Sequence, residues 1–295
     1  MDVSICVATY RRPAGLARLC ASLGRMKLPP GLRIELIVVD NDPAASETAS
    51  LPDAGGLPAR RLREPERNIA RARNAAVAAA RGTWLAFVDD DEEVDEMWLA
   101  AYLAQAERTP CDGLFGPVQP RLERPDASGT EQLAWFASRQ RHAGVRVPPE
   151  AMLTGNAFLR RHLFEGAAFD PALGRSGGED TELFGRLCAR GADFRWCVEA
   201  RVDEWIPPER LRAGWLLRRA WRGGNVHGRL ARRGSRAQAL RGALRATAGL
   251  VVELARLPLG ILEGRAGRLR AAMRFATACG RIAGVCGHVY EEYRG

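Results

Sequence analysis

The chain has 295 residues, 46% of them hydrophobic and 27% charged, a balance that excludes a disordered or fibrous polymer and suits one large core or a core with an appendage. The formal charge of +9 is carried unevenly: residues 206 to 295 hold 18 arginines against five glutamates, +13, which leaves −4 for the first 205.

In chain order, SICVAT (4–9) predicts a buried strand, and residues 13–23 a helix opened by Pro13. RIELIVVD (33–40) is a second buried strand, ended by the turn former DNDP. NIARARNAAVAAARG (68–82) is alanine-rich and predicts a helix with Gly82 as its stop. TWLAFVD (83–89) is a third strand, and 96–109 reads as another helix. Repeated strand–helix–strand units imply a mostly parallel sheet covered on both faces. Ligands gather at the carboxyl ends of such strands, where Thr9, Asp40 and Asp89 fall. Further on, a glycine-rich loop leads into a helix at GRSGGEDTELFGRLCARG, with Glu179, Asp180 and Glu182 in its first turn. After Ile206–Pro208 the chain becomes arginine-rich and helical to its end, which predicts a catalytic region over 1–205 and a basic helical region over 206–295.

The seven cysteines form no CxxC pair, as expected in a reducing compartment. The amino terminus lacks the pattern of a signal peptide, and no run of 18 apolar residues is uninterrupted. A cytoplasmic protein is the expectation. Residues 237–281 interleave apolar side chains with arginine at helical spacing, which suits either helices packed on the catalytic region or an attachment to anionic headgroups at the inner face of the membrane.

FVDDDEEVDE (87–96) sets seven carboxylates into eight positions directly after an apolar run. Strand-end carboxylates can ligate a hard cation, work as acids or bases, or simply be solvated. Two acidic strand ends at one edge repel a phosphorylated ligand unless a divalent ion bridges them. A metal–diphosphate site is therefore the sharper expectation, with residues 92–96 leading into a solvated helix start.

Six ordered blocks, VATYRRP, IVVDND, NIARARNAA, WLAFVDDDEE, LTGNAFLRR and GEDTELFGRL, span most of residues 3 to 200. Together they resemble glycosyltransferase family 2, the inverting nucleotide-sugar transferases, and bacterial exopolysaccharide glycosyltransferases in particular. The resemblance implies an α/β GT-A fold, a Rossmann-like, mostly parallel sheet with a helical carboxyl-terminal region. It also implies transfer from a nucleoside-diphosphate sugar, a UDP-sugar by preference, to a glycan or lipid-linked acceptor with Mn²⁺ or Mg²⁺ as cofactor.

On the matching positions, Thr9, Tyr10 and Arg11 would contact the nucleotide, and Asp40 would read its base. Asn68, Arg73 and Asn74 would line the phosphate side, with Asp89 at the ribose and Asp90 and Glu179 nearby. Asp91 would ligate the metal, and Asp180 would be the catalytic base. Taken alone, Asp180 reads first as an ordinary capping or first-turn acid, favoured there by the helix dipole, and only the resemblance tips it toward catalysis. Many members carry a histidine some 20 residues after the base. Here ARVDEWIPPERL has none; Glu204 would take that place at the metal, with Asp203 beside it as an alternative, the other reading being that neither touches the metal. In WLLRRAWRGGNVHGRLARRG, Arg218, Arg219 or Arg222 would help neutralise the leaving diphosphate, a solvated basic helix face being the equal alternative for each.

Two other classes stand as alternatives. A sugar-nucleotide pyrophosphorylase carries a glycine-rich, lysine-containing loop after its first strand, which VATYRRPAGL lacks. A non-catalytic membrane- or nucleic-acid-binding protein would be expected to have broken acidic positions, and Asp40, Asp89, Asp91 and Asp180 are all present. No nucleic-acid module is recognisable.

Overall fold

A computed structural model describes residues 2–45, 50–123, 142–233, 236–262 and 264–290. The chain divides into two compact units, one of Met1–Arg121, Ala134–Arg175 and Glu179–Trp205, the other of Leu122–Leu133, Ser176–Gly178 and Ile206–Gly295.

The amino-terminal half of the first unit runs β1 (Val3–Thr9), α1 (Pro13–Leu23), β2 (Ile34–Asp40), β3 (Ala59–Arg63), α2 (Ile69–Ala79) and β4 (Trp84–Val88). There follow β5 (Glu92–Val94), α3 (Trp98–Arg108), β6 (Gly113–Phe115), β7 (Val118–Leu122), β8 (Asn156–Arg160), α4 (Glu179–Ala189), β9 (Phe194–Trp196) and β10 (Val202–Ile206). Seven strands form the main sheet in the order β3-β2-β1-β4-β8-β6-β9, and β5-β10-β7 form a small second sheet. β1 pairs in parallel with both β2 and β4, and β2 with β3, while β8 runs antiparallel between β4 and β6. The sheet is mostly parallel, as its apolar runs predict.

Those runs are apolar because helices cover both faces of the sheet. Val3, Ile5 and Val7 of β1 pack on one side with Leu19, Leu23, Trp98 and Tyr102 from α1 and α3. Cys6 points to the other side, where Ala72, Ala76, Leu183 and Phe184 come from α2 and α4. Pro13 opens α1 at a position with no hydrogen bond to lose. Asn68 caps α2 by accepting from the Arg71 backbone N–H at 3.2 Å. The register sets Thr9 opposite Asp40, and β4 ends at Val88, so the polar residues leave the sheet at one edge.

Two sequence expectations need correcting. Residues 92–96 do not begin a solvated helix: Glu92–Val94 is β5, paired antiparallel with β10, and Glu92 is 3% exposed. The helix waits for Trp98, which is fully buried. Nor does Gly82 stop α2, which ends at Ala79 with Ala80 already extended. A Cβ on Gly82 would lie 2.5 Å from the Ser4 backbone nitrogen, so this glycine serves the close approach of two strands.

Beside Gly82 lies a buried carboxylate with no place in the sequence argument. Glu35 accepts from the Ser4 hydroxyl at 2.7 Å, the Arg81 N–H at 2.9 Å and Arg60 at 2.9 Å. Burial pushes its pKa up, but these donors prevail and hold it below the ordinary value. A depressed carboxylate stabilises the fold above its unfolded pKa, and that contribution is lost as pH falls through the folded value. Glu35→Ala should therefore cost about 2 kcal/mol in urea melts at pH 7, less than a fully enclosed pair because Arg60 is partly exposed. The gap to wild type should shrink in melts at about pH 3; a gap that is constant with pH would contradict the assignment.

From residue 206 onward the described residues of the second unit are a short turn at Pro208–Leu211 followed by three helices, α5 (Ala213–Arg233), α6 (Arg236–Leu262) and α7 (Gly264–Val285). α5 and α7 interlock through glycine. A Cβ on Gly224 or Gly228 would lie 2.0 or 2.2 Å from the carbonyl oxygens of Thr277 and Arg281. On α7, a Cβ on Gly280 or Gly284 would lie 2.0 or 2.3 Å from the Trp221 and Asn225 carbonyl oxygens. The helical pattern ends at Val285 rather than at the terminus, and residues 291–295 of that reading lie outside the described residues.

Candidate active site

The carboxyl edge of β1, β2 and β4 collects Thr9, Asp40 and the Asp89–Asp91 loop. Thr9 Oγ1 donates to Asp90 Oδ2 at 2.8 Å. Arg12 Nη1 donates both to Asp90 Oδ1 and to Asp91 Oδ2, each at 2.8 Å. Asp90 is 4% exposed; burial raises its pKa and Arg12 beside it pulls the other way. The start of α1 lies against this loop, because a Cβ on Gly15 would stand 2.4 Å from the Asp90 carbonyl oxygen. Asp90 is thus the inward carboxylate that ties the loop to β1 and α1.

Arg73, on α2, is 8% exposed and joins two elements. It donates to Glu179 Oε1 at 2.6 Å and to Asp89 Oδ1 at 3.4 Å. Glu179 is buried in the first turn of α4, and Asp180 follows it, half-buried. The Asp180 carboxylate accepts from the Thr181 N–H at 2.6 Å and from its hydroxyl at 3.3 Å. One guanidinium therefore bridges the end of β4 and the turn that carries Asp180.

Around Asp89 the carboxylates outnumber the cations. The Asp89 N–H donates to Glu92 Oε2 at 2.8 Å, and Glu204 on β10 lies directly opposite Glu92 in register. Burial first, then the charges of Asp89, Asp91 and Glu204, hold Glu92 well above the usual carboxylate range. Like charges paired across strands are unfavourable unless something compensates them. The neighbouring Asp203 turns to the other face and pairs with Arg121 at 3.1 Å. Gly155 leaves room at the cluster, since a Cβ there would come 2.8 Å from Glu92 Oε1 and 3.2 Å from Asp89 Oδ2.

A set of carboxylate oxygens is the donor chemistry that Mg²⁺ or Mn²⁺ prefers. Among the described residues no three such side chains already form a metal-holding group.

Flanking the edge, Asp40 Oδ1 accepts from the Asp42 N–H at 3.0 Å, and its other oxygen accepts from Arg61. Arg11 has φ of 54°, in the left-handed region that costs a side-chain-bearing residue, and pairs with Asp42 at 2.8 Å. The Tyr10 ring lies beneath the Arg67 guanidinium at 4.5 Å. Two predicted site residues have their side chains bonded to backbone. Asn68 caps α2 and donates to the Pro171 carbonyl at 2.9 Å, while Asn74 exchanges two 2.9 Å hydrogen bonds with Phe169. Both orient the chain that leads toward α4. Arg219 and Arg222 belong to the second unit, on α5, where Arg219 lies 5.3 Å over the Trp215 ring.

The family model described as Glycosyl transferase family 2 matches residues 4–165, the stretch that holds this edge. The chain belongs to glycosyl transferase family 2. It is 35% identical over 239 residues to the succinoglycan biosynthesis protein ExoM of Rhizobium meliloti (strain 1021), covering 78% of this chain and 74% of that one. Among solved structures, S. aureus TarS 1-349 in complex with UDP superposes with a TM-score of 0.56 at 16% identity, over 96% of this chain and 91% of that chain. The mannosyltransferase PcManGT from Pyrobaculum calidifontis, in complex with GDP-Man and Mn²⁺, gives 0.62 at 15% identity, over 96% and 86%. At such identities the likeness is one of fold, and the fold is GT-A.

Within the family 2 frame, sequence reasoning passed over Arg12, Glu92 and Gly155. Arg12 stood in the quoted VATYRRP block, but nothing local tells a second arginine apart from the first. Gly155 stood in LTGNAFLRR, and its need appears only when β8 packs beside β4.

Proposed function

We propose that the protein transfers a sugar, with inversion, from a nucleoside-diphosphate sugar to a hydroxyl of a glycan or lipid-linked oligosaccharide. The product belongs to a cell-surface or exported polysaccharide, made in the cytoplasm at the inner face of the membrane. The observation that carries this reading is the Arg73 bridge from Asp89 to the Glu179–Asp180 turn, at the edge where Thr9 and Asp40 also end. The similarity to a succinoglycan biosynthesis protein supports the polysaccharide, and the UDP of TarS supports a uridine donor.

In this reading Asp40 accepts a hydrogen bond from the base and Asp89 meets the ribose. Asp180, in the first turn of α4, takes the proton of the acceptor hydroxyl. The acceptor oxygen bonds to the anomeric carbon as the bond from that carbon to the diphosphate breaks. A single displacement from the opposite face inverts the centre. A divalent ion held by Asp91 and Glu204 would supply stabilisation of the charge gathering on the diphosphate. Arg73 fixes Asp89 and the base-bearing turn in one frame, so donor and acceptor meet at a set distance.

A thermal-shift panel tests the donor class. A ligand bound only by the folded state stabilises by RT ln(1 + [L]/Kd), about 2.7 kcal/mol at a hundredfold excess over Kd. UDP or a UDP-sugar with Mn²⁺ should raise the melting temperature by several degrees, and GDP less. No shift with any nucleoside diphosphate would overturn the reading.

A further inference from the structure

The described part of α6 exposes a face that has no role in the chemistry above. Leu240, Leu244, Val251, Val252 and Leu254 are 44 to 62% exposed. At 100° per residue, four of them (Leu240, Leu244, Val251 and Leu254) fall within an arc of about 80°. Arg241, Arg245 and Arg256 are exposed along one border of that stripe, and Val252 lies among them. From Leu240 to Arg256 the single acid, Glu253, is half-buried and paired with Arg274 at 2.9 Å. The exposed surface therefore carries no acid: it is aliphatic and cationic, with the exposed Thr247 hydroxyl inside the stripe. No helix among the described residues is long and apolar enough to cross a membrane.

We propose that this face of α6 lies on an anionic bilayer surface, with the aliphatic stripe in the headgroup–acyl boundary and the bordering arginines on lipid phosphates. Charge complementarity selects this occupant. A second copy docked antiparallel on the stripe would bring the arginine borders together, and in either orientation its aliphatic face leaves the arginines without anions, whereas anionic headgroups answer both the stripe and its border. Nucleic acid is disfavoured, because large aliphatic side chains offer a base neither stacking nor hydrogen bonds. The proposal rests on the transferase reading only for its purpose, which is to hold the enzyme where a lipid-linked acceptor lies.

The test is co-sedimentation of the full chain with vesicles of phosphatidylcholine alone and with phosphatidylglycerol added. The wild type should bind only the anionic vesicles and lose affinity as salt rises. Leu244→Ser with Val251→Ser should weaken binding about tenfold or more, with circular dichroism melting and nucleotide-induced thermal shift unchanged. Binding that survives those substitutions would mean that charge alone holds the chain, and would overturn the proposal. So would equal binding to neutral vesicles, absence of vesicle binding, or a wild-type dimer that the double variant dissociates. A vesicle failure with nucleotide binding intact sinks this proposal and leaves the transferase reading standing.

Discussion

Asp180→Asn should leave donor binding within about threefold of wild type and lower kcat about a thousandfold, some 4 kcal/mol of barrier. The asparagine keeps an oxygen to accept from the Thr181 N–H, so the local turn has no reason to change. What it loses is the capacity to take a proton. Asp180 is half-buried at the head of α4, whereas Glu179 beside it is enclosed and bonded to Arg73. Of the two acids, only Asp180 is open to an incoming hydroxyl. Steady-state kinetics with calorimetric donor binding separates the roles. A merely capping residue would lower the melting temperature and spare turnover, and near-normal turnover would remove Asp180 from the mechanism.

Asp91→Asn should weaken Mn²⁺-dependent binding of a nucleoside diphosphate about a hundredfold, while the weaker metal-free binding stays the same. The reasoning is electrostatic. Asp91 shares Arg12 with Asp90 and lies near Glu92, whose pKa is raised first by burial and then by the charges of Asp89, Asp91 and Glu204. Removing one carboxylate takes away one of those charges, so the metal-free variant should melt no lower than wild type. Calorimetric titrations with and without Mn²⁺ decide the matter, and unchanged affinity with the same Mn²⁺ requirement would refute the assignment.

The elements legible in the sequence are those with one uniform environment. β1, β2 and β4 are buried on both faces and read as continuous apolar runs, and Pro13 marks the start of α1. β3, with the sequence ARRLR, escaped because it is a half-exposed edge strand whose arginines look like a loop. β5 escaped because three residues within an acidic block look solvated, although Glu92 is enclosed by partners that arrive from β8 and β10. The four glycines between α5 and α7 carry no signal until two helices more than 50 residues apart in the chain are packed together.

The candidate site divides in the same way. Carboxylates at strand ends announce themselves through Asp40 and Asp89–Asp91, because strand pattern alone predicts where they emerge. The sequence does not tell which of the three aspartates turns inward. That is settled by Thr9 and Arg12, which reach Asp90 from β1 and from the start of α1. Nor can it distinguish Asp203 from Glu204, which differ only in the face of β10 they occupy.

The most direct measurement is a crystal structure of the protein soaked with UDP and Mn²⁺. The account predicts the nucleotide at the ends of β1, β2 and β4, its base beside Asp40, and an anomalous manganese peak against Asp91. A nucleotide bound elsewhere, or bound at this edge with manganese away from Asp91, would contradict it.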